Sequence, residues 1–359
     1  MSTTVDGGAG TGRLRPLVLT ALALAVAVVG LTWAKWLPYA DRVLGLVGSA
    51  AWEGTSVLLA GEGRPTLERA WDFTMVYSEA VWKAVAVALV VAASVDVLVP
   101  RSWLLRVLGR RTPLGGSVAG GLAALPGMMC TCCTAPLAVT MRRAGVPTSA
   151  ALAFWLGNPV LNPAVLVFLA LLVPWPWVLV RAVLGLVLVV GVSALLGVLV
   201  ERRAARLPAG ADRAVEQALA DPEPTPSLRE LPGRWLRSFG GLALVLVPEY
   251  LVVVFLAGLV GAPLSRLIGH GGLLTVLVAA AVGALLVLPT GGEIHILLGL
   301  AAAGASAGVL GALLIALPAL SLPSMIMVGR ALTWRVTLAA GAATVVVAVL
   351  AGGLLTAIG

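Results

Sequence analysis

The stretch Pro113-Leu-Gly-Gly-Ser-Val-Ala-Gly-Gly-Leu-Ala-Ala-Leu-Pro126-Gly-Met-Met-Cys130-Thr-Cys132-Cys133-Thr-Ala-Pro136-Leu-Ala-Val-Thr-Met-Arg142-Arg143 is apolar enough to enter a bilayer, but broken in its middle. Basic pairs bound it on both sides, Arg110 and Arg111 before it, Arg142 and Arg143 after it. A single crossing would leave one pair outside the cell, whereas a hairpin that dips in and returns keeps both on the cytoplasmic face, as the positive-inside rule requires. Irregular backbone at membrane depth is tolerated only when it is buried in protein or lines a cavity. The segment is therefore expected to be a re-entrant hairpin packed among other helices, with Cys130, Cys132 and Cys133 near its tip.

The rest of the chain agrees with a membrane setting. Of 359 residues, 60% are hydrophobic and 11% charged, against about 25% charged in soluble domains. Apolar runs long enough to span a bilayer recur from Leu17 to Thr356, since a crossing takes about 20 apolar residues. The net charge of +8 comes from basic residues set in short clusters between those runs. That is the pattern of cytoplasmic loops rather than of a nucleic-acid surface. The expected fold is an all-α polytopic membrane protein with about 7–9 transmembrane helices, and the lipid bilayer is its first partner.

Four parts follow. Residues 1–70 hold a retained first helix from about Pro16 to Leu37 and an external loop over 38–70, with a short surface helix as the alternative within it. Residues 71–200 form a first membrane repeat with the cysteine hairpin. Residues 201–236 are a polar cytoplasmic linker with a short helix near Asp212 to Leu219. Residues 237–359 form a second membrane repeat. With the N-terminus inside, this scheme puts all the Lys and Arg residues on the cytoplasmic side except Lys35, Arg42, Arg64, Arg69, Lys83, Arg181 and Arg266.

A second apolar segment, 272–304, is also broken, at Pro289-Thr-Gly-Gly. Cys130 to Pro159 lies over Pro289 to Pro318 at a constant offset, with Gly145 on Gly304, and Asn162-Pro163 falls one residue from Leu322-Pro323. Each half then has three crossings and one hairpin. An odd number of crossings inverts the second half, giving two inverted-topology repeats with broken re-entrant helices, an architecture of secondary transporters.

From Cys130-Thr-Cys-Cys-Thr-Ala-Pro136 through Arg142-Arg143-Ala-Gly-Val-Pro147 to Asn158-Pro159-Val-Leu-Asn162-Pro163, the chain resembles the bacterial predicted-permease family that includes the ArsP-type organoarsenical efflux permeases. Gly292-Glu293-Ile294 to Gly304 and Pro318 to Ser324 resemble that family's second region. The resemblance covers roughly residues 70–358. Cys133 stands where the family usually has glycine, and no cysteine accompanies Glu293. What the resemblance implies is a plasma-membrane permease, with trivalent organoarsenicals as the substrate class.

The residues themselves carry a chemistry. Thiolates select soft ions, and a helix starting near Thr134 would turn its positive dipole end toward Cys130, Cys132 and Cys133, favouring the thiolate. Small apolar packing and redox use of the same cysteines are the competing readings. Intramembrane Glu293 and His295 are proton-coupling candidates, although Thr290-x-x-Glu293 also fits a capping box. Glu249, after Pro248, is a further proton-coupling candidate. Asn158 and Asn162 sit beside helix prolines, where they either line a cavity with the substrate or repair the helix. Glu79 and Lys83, spaced i, i+4, are expected to pair, as is Asp96 with an arginine of the basic loop. No phosphate-binding loop or hydrolase signature occurs. The expectation is therefore no enzyme, no cofactor, no resident metal and no nucleic acid, but a gradient-driven carrier of a small-molecule or metalloid substrate. Its oligomeric state is left open. The alternatives are a thiol-dependent membrane redox protein and a permease for an unrelated metabolite.

Overall fold

The computed structural model describes residues 11–49, 67–110, 112–204, 227–260 and 272–358. The expected helix at Asp212 to Leu219 and the loop around Arg266 lie outside these. Every regular element among the described residues is helical, as backbone in hydrocarbon must be unless it closes into a barrel.

Helix α1 (Thr11–Leu31) runs through a π-helical turn at Thr32–Trp36 directly into α2 (Leu37–Ser49). The expected external loop over 38–70 is thus corrected at its start: the helix continues past Pro38. Proline removes one backbone donor, and the wider π turn absorbs it, with the Leu37 N–H bonding Thr32 O. Then follow α3 (Leu67–Leu98), the short α4 (Arg101–Leu108), α5 (Pro113–Ala124), α6 (Thr131–Arg143), α7 (Thr148–Val160), α8 (Pro163–Leu172), α9 (Trp175–Leu186) and, past a second π turn, α10 (Ser193–Ala204). The second half has α11 (Leu231–Val260), α12 (Leu273–Gly283), α13 (Gly292–Ala302), α14 (Ala307–Ala319), α15 (Leu322–Leu332) and α16 (Trp334–Ile358).

Among the described residues six helical stretches have the length and apolarity of a crossing, and α14 with α15, bent by 52°, makes a seventh. The outward faces are apolar: Leu244 is 78% exposed and Leu274 76%. Water would penalise such a surface, and lipid does not.

Helices α5 and α6 are 12 and 13 residues long, about 18–20 Å each at 1.5 Å per residue, short of the roughly 30 Å hydrocarbon core. Their outer ends lie together. The Arg101 Nε, at the start of α4, the short helix that leads into α5, donates to Ala144 O, just after α6, at 3.1 Å. A Cβ on Gly116 near the start of α5 would meet Ser149 Oγ at the start of α7, at 2.6 Å. The segment is a hairpin, as its flanking arginines required. In the second half, α12 and α13 repeat it, because Gly308 at the start of α14 faces Val276 at the start of α12.

The repeat is closer than sequence matching suggested. The first residues of α7, α8 and α9 (Thr148, Pro163, Trp175) and of α14, α15 and α16 (Ala307, Leu322, Trp334) differ by one constant offset. That same offset sets Asn162 on Ser321, the residues preceding α8 and α15, and not Pro163 on Pro323. The turns at Gly145 and Gly304 have φ of +89° and +85°, the left-handed conformation that glycine adopts without steric cost. Following the crossings from one hairpin to the other shows that the two enter from opposite faces.

Close approach is bought by small residues. A Cβ on Gly120 would stand 2.1 Å from Ala150 O, and one on Gly311 2.8 Å from Ala351 O. Membrane helices pack through such contacts because no hydrophobic drive acts between them in lipid.

Candidate functional site

The inner ends of both hairpins meet at the centre of the molecule. Proline and glycine at Pro126 and Gly127 end the first descending helix, and Met128 turns the chain with a left-handed φ of 48°. Cys130 then takes the N-cap position of α6, with Cys132 and Cys133 in its first turn. The Cys130 Sγ lies 3.2 Å from Cys132 Sγ and 2.9 Å from Cys133 Sγ. All three thiols are free and buried, and their sulfurs fall within 4.8 Å of one another. Thr134 closes the turn by donating its hydroxyl to Cys130 O and Thr131 O. The sulfurs thus share the positive end of α6, as expected from the sequence.

Next to them the two repeats touch. Thr131 Oγ1 and Ser321 Oγ share a hydrogen bond of 3.0 Å between α6 and the start of α15. A cavity of about 10 Å³, room for about one water, is lined there by Cys130, Thr131, Pro159, Thr290, Glu293 and Pro318, among others. Cys130 and Glu293 therefore share the wall of one small central void.

Glu293 has a partner that sequence reasoning missed. Arg181 of α9, fully buried, donates from Nη2 to Glu293 Oε1 at 3.1 Å. The same guanidinium donates to Val160 O at 3.2 Å and Pro159 O at 3.0 Å, carbonyls at the break between α7 and α8. The charge pattern puts Arg181 off the cytoplasmic side; in the structure it locks the first repeat's break to the second repeat's hairpin. Its signal was present: it is the lone ionisable residue between Pro163 and Val200, and such a residue defaults to a buried role.

Lys35 is likewise moved inward. It is 9% exposed, sits on the π turn, and directs Nζ to Tyr39 Oη and Thr290 Oγ1, each at 3.5 Å. The surrounding helix grips the first hairpin's tip. Trp36 Nε1 donates to Pro126 O at 2.9 Å, and Tyr39 Oη donates to Met128 O at 3.4 Å.

The other expected residues are placed as follows. Asn158 donates Nδ2 to Phe154 O at 3.0 Å, repairing its own helix, while Oδ1 has no protein partner. Asn162 Oδ1 caps α8, accepting from Ala164 N and Val165 N, and its buried Nδ2 is unpaired. Neither asparagine lines the central cavity. His295 is half-buried two residues beyond Glu293 and off the cavity wall. The side chain of Glu249 lies outside the described residues. Glu79 and Lys83 do not pair; Lys83 lies over the Trp33 and Trp82 rings, at 5.5 and 5.9 Å. Cation–π contact with two indoles competes well with an exposed ion pair. Asp96 accepts from Ser238 Oγ at 2.7 Å rather than from the basic loop.

A larger cavity of about 570 Å³ opens along α6 toward the arginine-bearing end, lined by Asp96, Arg142, Arg143, Arg237 and Arg330 among others. Paired hairpins with a central closed site and a vestibule on one side define a membrane transporter of the permease class. The chain belongs to the predicted-permease family ArsP_1, whose model matches residues 66–358. It is 36% identical over 340 residues to the UPF0718 protein YraQ of Escherichia coli (strain K12), covering 93% of this chain and 94% of that protein. No solved structure matches.

Proposed function

We propose that this permease exports a soft, thiol-reactive solute from the cytoplasm, with trivalent organoarsenicals as the substrate class and proton movement as the drive. The observation that carries the reading is the trio of free thiols at a helix N-terminus, buried where the two hairpins meet. Soft ligands capture soft centres. Three thiols without a fourth ligand allow release better than a closed tetrahedral cage does. The arginine-rich vestibule then faces the cytoplasm of a bacterial plasma membrane, as the positive-inside rule demands, and the N-terminus is cytoplasmic. Glu293 is the proton-handling group, its charge state set against Arg181.

The test is resistance to methylarsenite in a sensitive host. Replacing Cys130 and Cys132 together by Ser should abolish it while the protein still reaches the membrane. Full resistance in that double variant discards the thiol mechanism.

A further inference from the structure

The larger cavity, of about 570 Å³, has two kinds of wall. It lies between α6, α11 and α15, with the end of α3 at its edge, and so draws on both halves of the chain. At its mouth stand Arg142, Arg143, Arg237 and Arg330 against the one carboxylate of Asp96, which already accepts from Ser238 Oγ at 2.7 Å. Deeper in, the lining is apolar: Val139, Leu242, Leu246 and Met327. The α6 wall runs from Arg143 back to Pro136, about 10 Å at 1.5 Å per residue. Size and mixed lining are those of a ligand pocket.

Local helix chemistry explains only part of the charge. Arg142, Arg143 and Arg330 stand in the last turns of α6 and α15, where a helix dipole favours a cation. Arg237 stands in the second turn of α11 and gains nothing from that source. Among the described residues Arg142, Arg143 and Arg237 have no carboxylate partner; the ion pair found there is Arg181 with Glu293. Arg142 donates from Nη1 to Val146 O, but its Nε is buried without a partner. Guanidiniums gathered in one cleft repel each other and concentrate anions. The α11 wall also borders lipid: Val245, which lines the cavity, is 53% exposed, and its neighbour Leu244 is more so.

We propose that this cavity is a seat for an acidic phospholipid, with the phosphate among the guanidiniums of Arg142 and Arg237 and an acyl chain along Val139, Leu242 and Leu246. A guanidinium meets a phosphate with two parallel N–H donors, and basic pockets between membrane helices hold anionic headgroups. A free phosphate would satisfy the arginines and leave the apolar wall uncovered; a lipid covers both. The seat is separate from the thiol site and does not depend on what the thiols bind.

Native mass spectrometry of the purified full chain, delipidated in a neutral detergent, reads the preference directly. Phosphatidylglycerol and phosphatidylcholine of equal chain length are offered together. The wild type should retain one phosphatidylglycerol about tenfold over phosphatidylcholine, less than two arginines beside a headgroup can supply. Arg142→Gln combined with Arg237→Gln should bring the two lipids to parity, while Arg142→Lys with Arg237→Lys should keep most of the preference. Arg110→Gln with Arg202→Gln, basic positions outside the cavity, should leave it unchanged. Leu246→Trp, which fills the apolar part, should lower retention of both lipids. Parity in the wild type, which needs no variant, overturns the proposal, as does an equal loss of preference in the Arg142, Arg237 and the Arg110, Arg202 glutamine pairs. Sodium phosphate separates the two sources of the anion: at millimolar concentration it should leave the lipid in place. Displacement by phosphate, or undiminished retention in Leu246→Trp, would assign the arginines to a free anion and overturn the lipid seat.

Discussion

The two hairpins occupy the same place in the repeat and are built for opposite chemistry. The first turns on Pro126 to Met128 and delivers three sulfurs at the start of α6; the second turns on Pro289 to Gly291 and delivers a carboxylate, Glu293, in the first turn of α13. At the common offset Thr134 sits where Glu293 does, and the positions of Cys132 and Cys133 are glycines, Gly291 and Gly292. Backbone symmetry therefore supplies the half-helices, and side chains alone divide the labour between soft-ligand capture and charge. The first tip is clamped by the N-terminal helix through Trp36 and Tyr39, the second by Arg181.

That clamp offers the most forceful way to break the comparison. Arg181→Met or Glu293→Gln alone leaves a buried group without its partner, and each should cost about 3–5 kcal/mol, read as thermal unfolding of the purified protein in detergent. Arg181→Met combined with Glu293→Met should recover a large part of the loss; strictly additive losses would show that the two groups act separately.

A second contrast lies in how tightly each descending helix is seated. Gly120 faces the Ala150 backbone with no room for a Cβ, while the equivalent Ala279 is fully buried and already carries one. Gly120→Ala should destabilise by about 1–3 kcal/mol through overpacking, and Ala279→Gly by about 1 kcal/mol. Equal effects would mean that the hairpins are held alike.

The bond between the repeats sharpens the comparison further. Thr131→Ala should cost about 1 kcal/mol and Ser321→Ala somewhat more, because its Oγ also bonds Ser324 Oγ at 3.0 Å; the double variant should lose less than the sum of the two, since they share one contact. The smallest difference concerns the turn glycines. Gly145→Ala and Gly304→Ala should each lose about 1 kcal/mol for a left-handed alanine. The Gly145 change should lose slightly more, because its Cβ would stand 3.2 Å from Arg101 Nη2 while Gly304 faces open space.

Much of this was legible along the chain. The broken apolar segments, their basic flanks and the glycine at matching positions gave the hairpins and the repeat. At its far end the two proline pairs stand one residue out of register, and the feature the halves share there is the cap: Asn162 bonds the first turn of α8, and Ser321 and Ser324 bond each other at the start of α15. A cap can be made by either residue type, so geometry agrees there where residue identity does not. The i, i+4 spacing of Glu79 and Lys83 suggested a pair, but Trp33, brought in by another helix, took the lysine.

What the sequence determined by itself was what local length and composition control: that the chain crosses the lipid several times, where helices break, and that three thiols cluster at one of the breaks. Each follows from a bilayer's thickness and from the need to satisfy backbone groups within a segment. Only the tertiary structure decided which charges are buried and against what. Arg181 meets Glu293 across 112 residues, and Lys35 reaches Thr290 across 255. In an apolar chain a charge count fixes the side of the membrane that loops prefer, but the partner of a buried ion is chosen by the packing of distant helices, which local pattern does not encode.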